Sequence, residues 1–599
     1  MSKRVNLRKT GQLGTLPSWN LRDFYESPNS DKIKSDFKEI NIKSNNFEKK
    51  YKNNVGKLKS KELLKAICDL EKIEEKINKV MSYAYLLFAE NIDHNENKIF
   101  FQSTKEKITK FSSSIIFFNL ELNLIDEKKL LKHLKNSKLR KYKNWIEVSR
   151  SFKPHQLNND LEKFMRDKNI TSSSSWSRLF DETIASLRFP FHNKLLTSTE
   201  IFNYMSDLDP KKRKESAQSI GNILKKNINL FTSISNNLVK DKMINDEWRK
   251  LPNPVRSRNL SNVVEDKVVN ALSSSVQNYY SKLSHRYYSL KAKWFGKKQL
   301  MYWDRNAPLP FQSNRLFSWE EAKSIVINAY GLFSDEIGEI AKLFFEKSWI
   351  DAQVKKGKQG GAFSASTVPS LHPFILLNYQ GKLRDVSTLA HELGHGVHQF
   401  LASEQGYFNS STPLTLAETA SVFGEMLTFK FLLSKESKAE TKKALLANKV
   451  EDMLNTVVRQ ISFFEFEKQL HFKRKQSELT ANEICEIWMN TQSKSLGPAI
   501  KMNNEYKYYW SYIPHFIHSP FYVYAYAFGD CLVNTLYSVY EKNSDNFVEK
   551  YINLLKAGGS KKYTELLKPF DLNPSKKIFW RNGLDVISDL IDELEELEV

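Results

Sequence analysis

Residues 385–400 read DVSTLAHELGHGVHQF, and the spacing of their apolar side chains predicts one amphipathic helix. Leu389, Ala390, Leu393, Val397 and Phe400 recur at helical intervals, Gln380-Gly381 marks a turn ahead of them, and Asp385 is a candidate N-cap. Within the helix stands His391-Glu392-Leu393-Gly394-His395. Histidines four residues apart share a helix face, so both imidazoles can close on one metal ion. Glu392, beside the first, can then take a proton from a metal-bound water, which is the chemistry of a zinc hydrolase. Gly394 leaves room for another backbone or a ligand to approach. The competing reading is a pair of histidines hydrogen-bonded in a core.

A zinc site of catalytic type needs a third protein ligand and an open position. One pattern, H-E-x-x-H-x-x-G-x-x-H, fails, because His398 and Leu401 stand where glycine and histidine are required. The other source is a glutamate from the next helix. Leu414-Thr415-Leu416-Ala417-Glu418-Thr419-Ala420-Ser421 supplies Glu418, far enough from His395 for a loop and a return. Thr415 followed by Glu418 also fits a capping box, which would leave Glu418 as a surface cap. Glu425, two turns on, is placed to hold a ligand histidine by its second ring nitrogen.

Taken with further segments, these residues resemble the M3 family of zinc peptidases, and within it the oligoendopeptidase F branch. Leu16-Pro17-Ser18-Trp19-Asn20-Leu21 is similar to that branch's opening. Lys356 to Phe363, KGKQGGAF, resembles its glycine-rich segment, and His372 to Tyr379, HPFILLNY, the strand that follows. Trp510 to Tyr522, WSYIPHFIHSPFY, resembles the C-terminal substrate segment. Ala557-Gly558-Gly559-Ser560 and Phe579-Trp580 match the closing pattern.

The resemblance implies roles. His391, His395 and Glu418 would be the ligands of one Zn2+ per chain, and Glu392 the general base acting on the zinc-bound water. His515 and a tyrosine would bind substrate and stabilise the oxyanion. Tyr522 is preferred and Tyr526 second, with Tyr524 open, because the spacing aligns only with a gap. Gly361 and Ala362 introduce a strand whose backbone an extended peptide could pair with; a plain hairpin is the alternative. The family fold implies a mainly α protein, with two helical lobes around a deep substrate channel and a small β-sheet near residues 361–379 beside the motif helix. Its substrates would be short unfolded oligopeptides cut at internal bonds. A zinc carboxypeptidase on a similar helical scaffold and a non-catalytic peptide-binding relative remain as alternatives.

Composition suits a large enzyme. The 599 residues, 41% apolar and 13% aromatic, can fill a sizeable core. No apolar run is long enough to span a bilayer. Met1-Ser2-Lys3-Arg4-Val5-Asn6 has no apolar stretch after its basic residues, and Cys68, Cys485 and Cys531 are odd in number without metal spacing. Both features lead to the expectation of a cytoplasmic protein with free thiols. The net charge of +22 raises nucleic-acid binding as a rival. The lysines are scattered, however, and no recognised binding pattern occurs, so neither a specific nucleic acid nor a membrane is expected as a partner. The oligomeric state is left open.

Along the chain, stripes such as Leu63, Ile67, Leu70, Ile73, Ile77 and Met81, or Val586, Ile587, Leu590, Ile591 and Leu594, are helix-packing faces. Thr171 to Ser175 and Arg188-Phe189-Pro190 read as breaks. The expected division is an N-terminal helical domain over 1–195 and a catalytic domain over 196–599, with strands only near 361–379.

Overall fold

The computed structural model describes residues 13–311, 315–542 and 546–598. The opening segment Met1 to Asn6, read above for a leader, lies outside the described residues. Helices hold 71% of the chain and strands 3%, so the protein is mainly α. No helix among the described residues is long and apolar enough to cross a membrane.

Two compact units result, each assembled from separated stretches. The first comprises Met1–Lys153, Asn314–Lys435 and Val539–Leu572; the second comprises Pro154–Ser313, Glu436–Ser538 and Asn573–Val599. The boundary expected near residue 195 falls within the second unit. There, Phe189–Phe191 and Lys194–Leu196 form an antiparallel hairpin, turned by His192 and Asn193, both at positive φ. A two-residue turn with two positive φ values is the tight connection that matches strand twist. The Arg188-Phe189-Pro190 break is therefore the start of a hairpin.

In the first unit the helix Ser60–Glu90 buries Leu63, Ile67, Leu70, Ile73 and Ile77 of the stripe expected from its periodicity; Met81, counted in the same stripe, is only half-buried, and Val80 is buried beside it. The motif helix spans Leu383–Ala402 and buries Val386, Leu389, Ala390, Leu393 and Val397 almost completely. Each large aliphatic side chain so buried contributes on the order of 1.5–3 kcal/mol. The helix starts three residues earlier than expected, with Lys382 at its cap position. Asp385 is not its N-cap; its carboxylate reaches back to accept the N–H groups of Lys382 and Gln380 at 2.9 Å each. An acidic side chain at the third helical position closes back on the cap amide, the returning half of a capping box, and also suits the positive end of the helix dipole.

Beside this helix lies a three-stranded sheet of Ile350–Asp351, Phe374–Leu376 and Phe363–Ala365, in that order. Phe363–Ala365 pairs antiparallel with Phe374–Leu376 and forms one edge. The Leu16–Leu21 opening packs here: Trp19 lies 6.0 Å from Phe374 and 6.5 Å from Phe363 between ring centres, and the N–H of Ala352 donates to Pro17 O at 2.9 Å. The Ala557–Ser560 pattern also has a structural reason. A Cβ at Gly559 would overlap the carbonyl oxygen of Ser411, while the Gly559 N–H donates to Asn409 O at 2.7 Å. Only glycine admits that approach to the loop preceding Glu418.

The second unit is built around helices including Pro210–Lys226, Asp266–Tyr279, Val458–Arg474, Ala481–Leu496 and Lys577–Glu596. It holds the hairpin and a two-residue parallel pairing of Leu300–Met301 with Ile500–Lys501. Strands therefore also occur outside 361–379, each too short for an alternating pattern to register.

Candidate active site

His391 and His395 stand one turn apart on the motif helix, with their Nε2 atoms 3.1 Å from each other. The helix Ser421–Lys435 crosses it closely because Gly394 carries no side chain. A Cβ there would overlap the Ala420 carbonyl oxygen and lie 2.7 Å from Ser421 Cα. The approach expected at Gly394 is thus that of another backbone. It brings Glu418, on the turn before the second helix, to the histidines: its Oε2 is 3.5 Å from each Nε2. Ser421 fixes that carboxylate by donating its hydroxyl to Oε2 at 2.7 Å.

The capping-box reading of Thr415 and Glu418 fails. Thr415 is buried with its hydroxyl unpartnered, and the chain makes a short helix, Leu414–Ala417, that ends at Glu418. The expected continuous helix is broken there, which turns the glutamate inward.

His391, His395 and Glu418 form the one group of three metal-capable side chains found among the described residues. Ligand atoms about 2.0–2.2 Å from a shared tetrahedral centre lie about 3.3–3.6 Å apart. The observed edges of 3.1, 3.5 and 3.5 Å fit one such ion. His391 Nδ1 lies 2.6 Å from Glu425 Oε1; Nδ1–H donating to that carboxylate holds the proton on Nδ1 and leaves Nε2 as the atom that can bind.

Electrostatics separates the neighbouring groups. Burial opposes the charged form of His391, but Glu425, then Glu418 and Glu392, outweigh it and raise its pKa to about 9. Burial pushes His395 down to about 4 against the pull of Glu418. Burial likewise raises Glu392 to about 7, with His391 opposing and Glu418 adding to the rise. Glu392, 8% exposed, accepts the Ser364 backbone N–H. The Ser364 hydroxyl donates to Gln399 Oε1 at 3.0 Å, tying the edge strand to the motif helix. A cavity of about 310 Å³ touches Ala362, Ser364, Glu392, His395 and Ala417. Gly361 is exposed at φ +81°, with open space where a side chain would be. His398 lines the same cavity but is 2% exposed, and burial pushes its pKa down to about 3.

A second cluster forms within the second unit. His515 Nε2 lies 3.3 Å from the Tyr526 hydroxyl, and the Tyr522 ring is 6.4 Å from His515 and 5.4 Å from Tyr526. Burial and the charge of Arg459 lower the His515 pKa, which favours the neutral ring. Tyr524 stands apart from this cluster: it is fully buried and its hydroxyl accepts from Asn262 at 2.8 Å.

Sequence reasoning missed the support beneath Tyr522. Phe521, buried and at φ +59°, holds a conformation that costs a bulky residue roughly 1–3 kcal/mol. Its N–H donates to Glu467 Oε1 at 2.8 Å, and Arg258 donates to Pro520 O at 3.1 Å while covering the Tyr522 ring. The available signal was Glu467, two residues after Glu465 in the aromatic text Phe463-Phe464-Glu465-Phe466-Glu467. Burial raises Glu467 to about 8, and the Phe521 N–H, Arg258 and Lys242 offset this only in part.

A raised carboxyl pKa stabilises the fold at low pH, and that contribution is lost as pH rises through the folded value. Glu467→Gln should therefore gain stability over the parent protein between about pH 5 and about pH 8, by at most a few kcal/mol. Urea unfolding at the two pH values measures it. A relative loss for the variant would mean that Glu467 is held ionised by Arg258.

The sequence profile described as Peptidase family M3 matches residues 204–585, and that described as Oligopeptidase F matches residues 121–189. Over 563 residues the chain is 28% identical to an oligoendopeptidase F homolog of Borreliella burgdorferi, covering 93% of this chain and 94% of the relative. A crystal structure from Chlamydophila abortus superposes with a TM-score of 0.88 at 24% identity, covering 97% of this chain and 98% of that one. Oligoendopeptidase-F from Enterococcus faecium gives 0.70 at 19% identity, covering 95% and 99%. At these identities the structural likeness speaks to the fold.

Proposed function

The chain belongs to peptidase family M3 and is a peptidase; from that premise we propose that it is a zinc-dependent oligoendopeptidase that cuts internal bonds of short unfolded peptides. The observation that carries this reading is the convergence of His391, His395 and Glu418 beside the buried Glu392. Those three residues would hold the zinc, with Glu425 orienting His391. When bound, zinc supplies Lewis acidity and lowers the pKa of water.

Glu392 takes the proton of the attacking water and returns it to the leaving amine. A carboxylate raised to about 7 is suited to both directions of transfer near neutral pH. The outer edge of Phe363–Ala365, introduced by Gly361 and Ala362, offers main-chain groups to an extended peptide beside the Ser364 N–H that Glu392 uses. Such pairing holds peptides of many sequences. His515, favoured as the neutral ring, and Tyr522 donate hydrogen bonds to the developing oxyanion, while the exposed Tyr526 binds substrate. A cytoplasmic setting is part of the proposal and is supported by the unpaired Cys68, Cys485 and Cys531.

Cleavage of a mixed peptide library, read by mass spectrometry on zinc-loaded and chelator-stripped protein, tests this. Internal cuts that vanish on stripping and return with zinc are expected. Release of single C-terminal residues would replace the reading with a carboxypeptidase. Zinc binding without any cleavage would replace it with a peptide-binding protein. Tyr522→Phe should lower kcat by roughly 10- to 100-fold with little change in KM; an effect confined to KM would assign Tyr522 to substrate binding alone.

A further inference from the structure

Within the second unit a cavity of about 220 Å³ is lined by Arg305 and Arg459 together with Tyr506, Tyr512 and Trp488. The fully buried cations Arg213 and Lys291 of this unit have acidic partners, Asp304 and Glu451. Arg305 and Arg459 make no ion pair among the described residues, and the Nε atom of each is buried without a hydrogen-bond partner. Arg459 is held over the ring of Phe463 at 5.1 Å. Burial lowers its pKa, and the charge of Arg305 lowers it further. Both guanidinium groups are half-buried and lack a carboxylate partner among the described residues, and Arg305 has the Tyr506 hydroxyl beside it. Holding two like charges this close without a counter-charge is unfavourable to the fold. The same arrangement is a preformed receptor for an anion.

The chemistry of the walls selects the anion. Guanidinium forks match the planar geometry of a carboxylate, and the aromatic side chains accommodate an apolar stem. A volume of about 220 Å³ is below the ~300–1,000 Å³ of sites that enclose whole drug-sized ligands. The cavity therefore suits an end group. Arg459 is also the charge that acts on His515, which links the cavity to the candidate substrate-binding cluster. We propose that the Arg305–Arg459 cavity binds a carboxylate of the peptide substrate, either its C-terminal group or an acidic side chain. This rests on the peptidase reading above.

The test compares peptides that differ only in that group, free acid against amide and Asp against Asn, in direct binding to zinc-loaded Glu392→Gln protein. At least one acidic form should bind roughly 10- to 100-fold more tightly than its neutral partner. Arg305→Gln/Arg459→Gln should abolish that preference while Tm stays equal or rises, since an uncompensated charge pair has been removed. Arg459→Lys, which keeps the charge but not the fork, should retain only part of the preference and serves if the double variant fails to fold.

Equal binding of acidic and neutral forms, or a preference that survives in Arg305→Gln/Arg459→Gln, overturns the proposal. If acetate alone raises the Tm of the parent protein and neither peptide pair shows a preference, the cavity serves a free anion and the peptide assignment is overturned. If an acidic preference is present but the parent enzyme cleaves nothing, hydrolysis fails and the carboxylate site stands.

Discussion

Glu392→Gln protein is expected to keep its metal at one equivalent and lose turnover by roughly 10²–10⁴-fold, the usual contribution of a positioned general base. The substitution preserves shape. The amide oxygen of glutamine can still accept the Ser364 N–H that the carboxylate accepts, and its ligand neighbours His391 and His395 are not touched. What it removes is the capacity to take a proton. Because burial already disfavours the charge on Glu392, the neutral amide should also leave Tm equal or raise it. Steady-state kinetics, metal analysis and a melting curve on one preparation check all three statements. Retained turnover with metal bound would sink the general-base assignment. Loss of the metal would show that Glu392 has a structural part in the site.

Gly394→Ala should be as informative, and its sign runs against the ordinary rule. In a helix interior, alanine is more favourable than glycine by about 0.5–1 kcal/mol. At Gly394 the new methyl group would meet the backbone of Ala420 and Ser421, which cannot rotate away as a flexible side chain could. The two helices must then separate, and overpacking of that kind costs about 1–3 kcal/mol. Glu418 lies on the turn that would move, and its 3.5 Å distances to both histidines leave little tolerance. Metal affinity should fall by roughly 10- to 100-fold. Competition titration with a chelating dye and thermal melting measure the two effects. A Gly394→Ala protein that is more stable and binds metal normally would mean that the helix crossing does not hold Glu418 in place.

The legible part of the site was the part made by one helix. His391, His395 and Glu392 are brought together by i,i+4 geometry, which needs no knowledge of the fold. The same local rules found the buried stripes of Ser60–Glu90 and Lys577–Glu596. They misjudged Asp385 by one helical turn, since an acidic residue at the start of a helix suits either the cap, where it accepts amides of the first turn, or the third position, where it reaches back to the cap amide. They also misjudged Thr415, whose spacing to Glu418 fits a capping box that the chain does not make. Distinguishing Tyr522 and Tyr526 from Tyr524 required knowing that Asn262, remote in sequence, reaches the Tyr524 hydroxyl.

The sequence by itself determined the helical class, the two imidazoles of the candidate metal site and the carboxylate between them, because each depends on residues within a few turns of one another. Only the tertiary structure decided that Glu418 turns inward, that Glu467 and Arg258 support the strained turn before Tyr522, and that two arginines share a cavity without a counter-charge. The interleaving of the two compact units belongs to the same class. These features arise from contacts between segments tens to hundreds of residues apart. No local periodicity records them; the close packing of helix on helix and the desolvation of buried charge do.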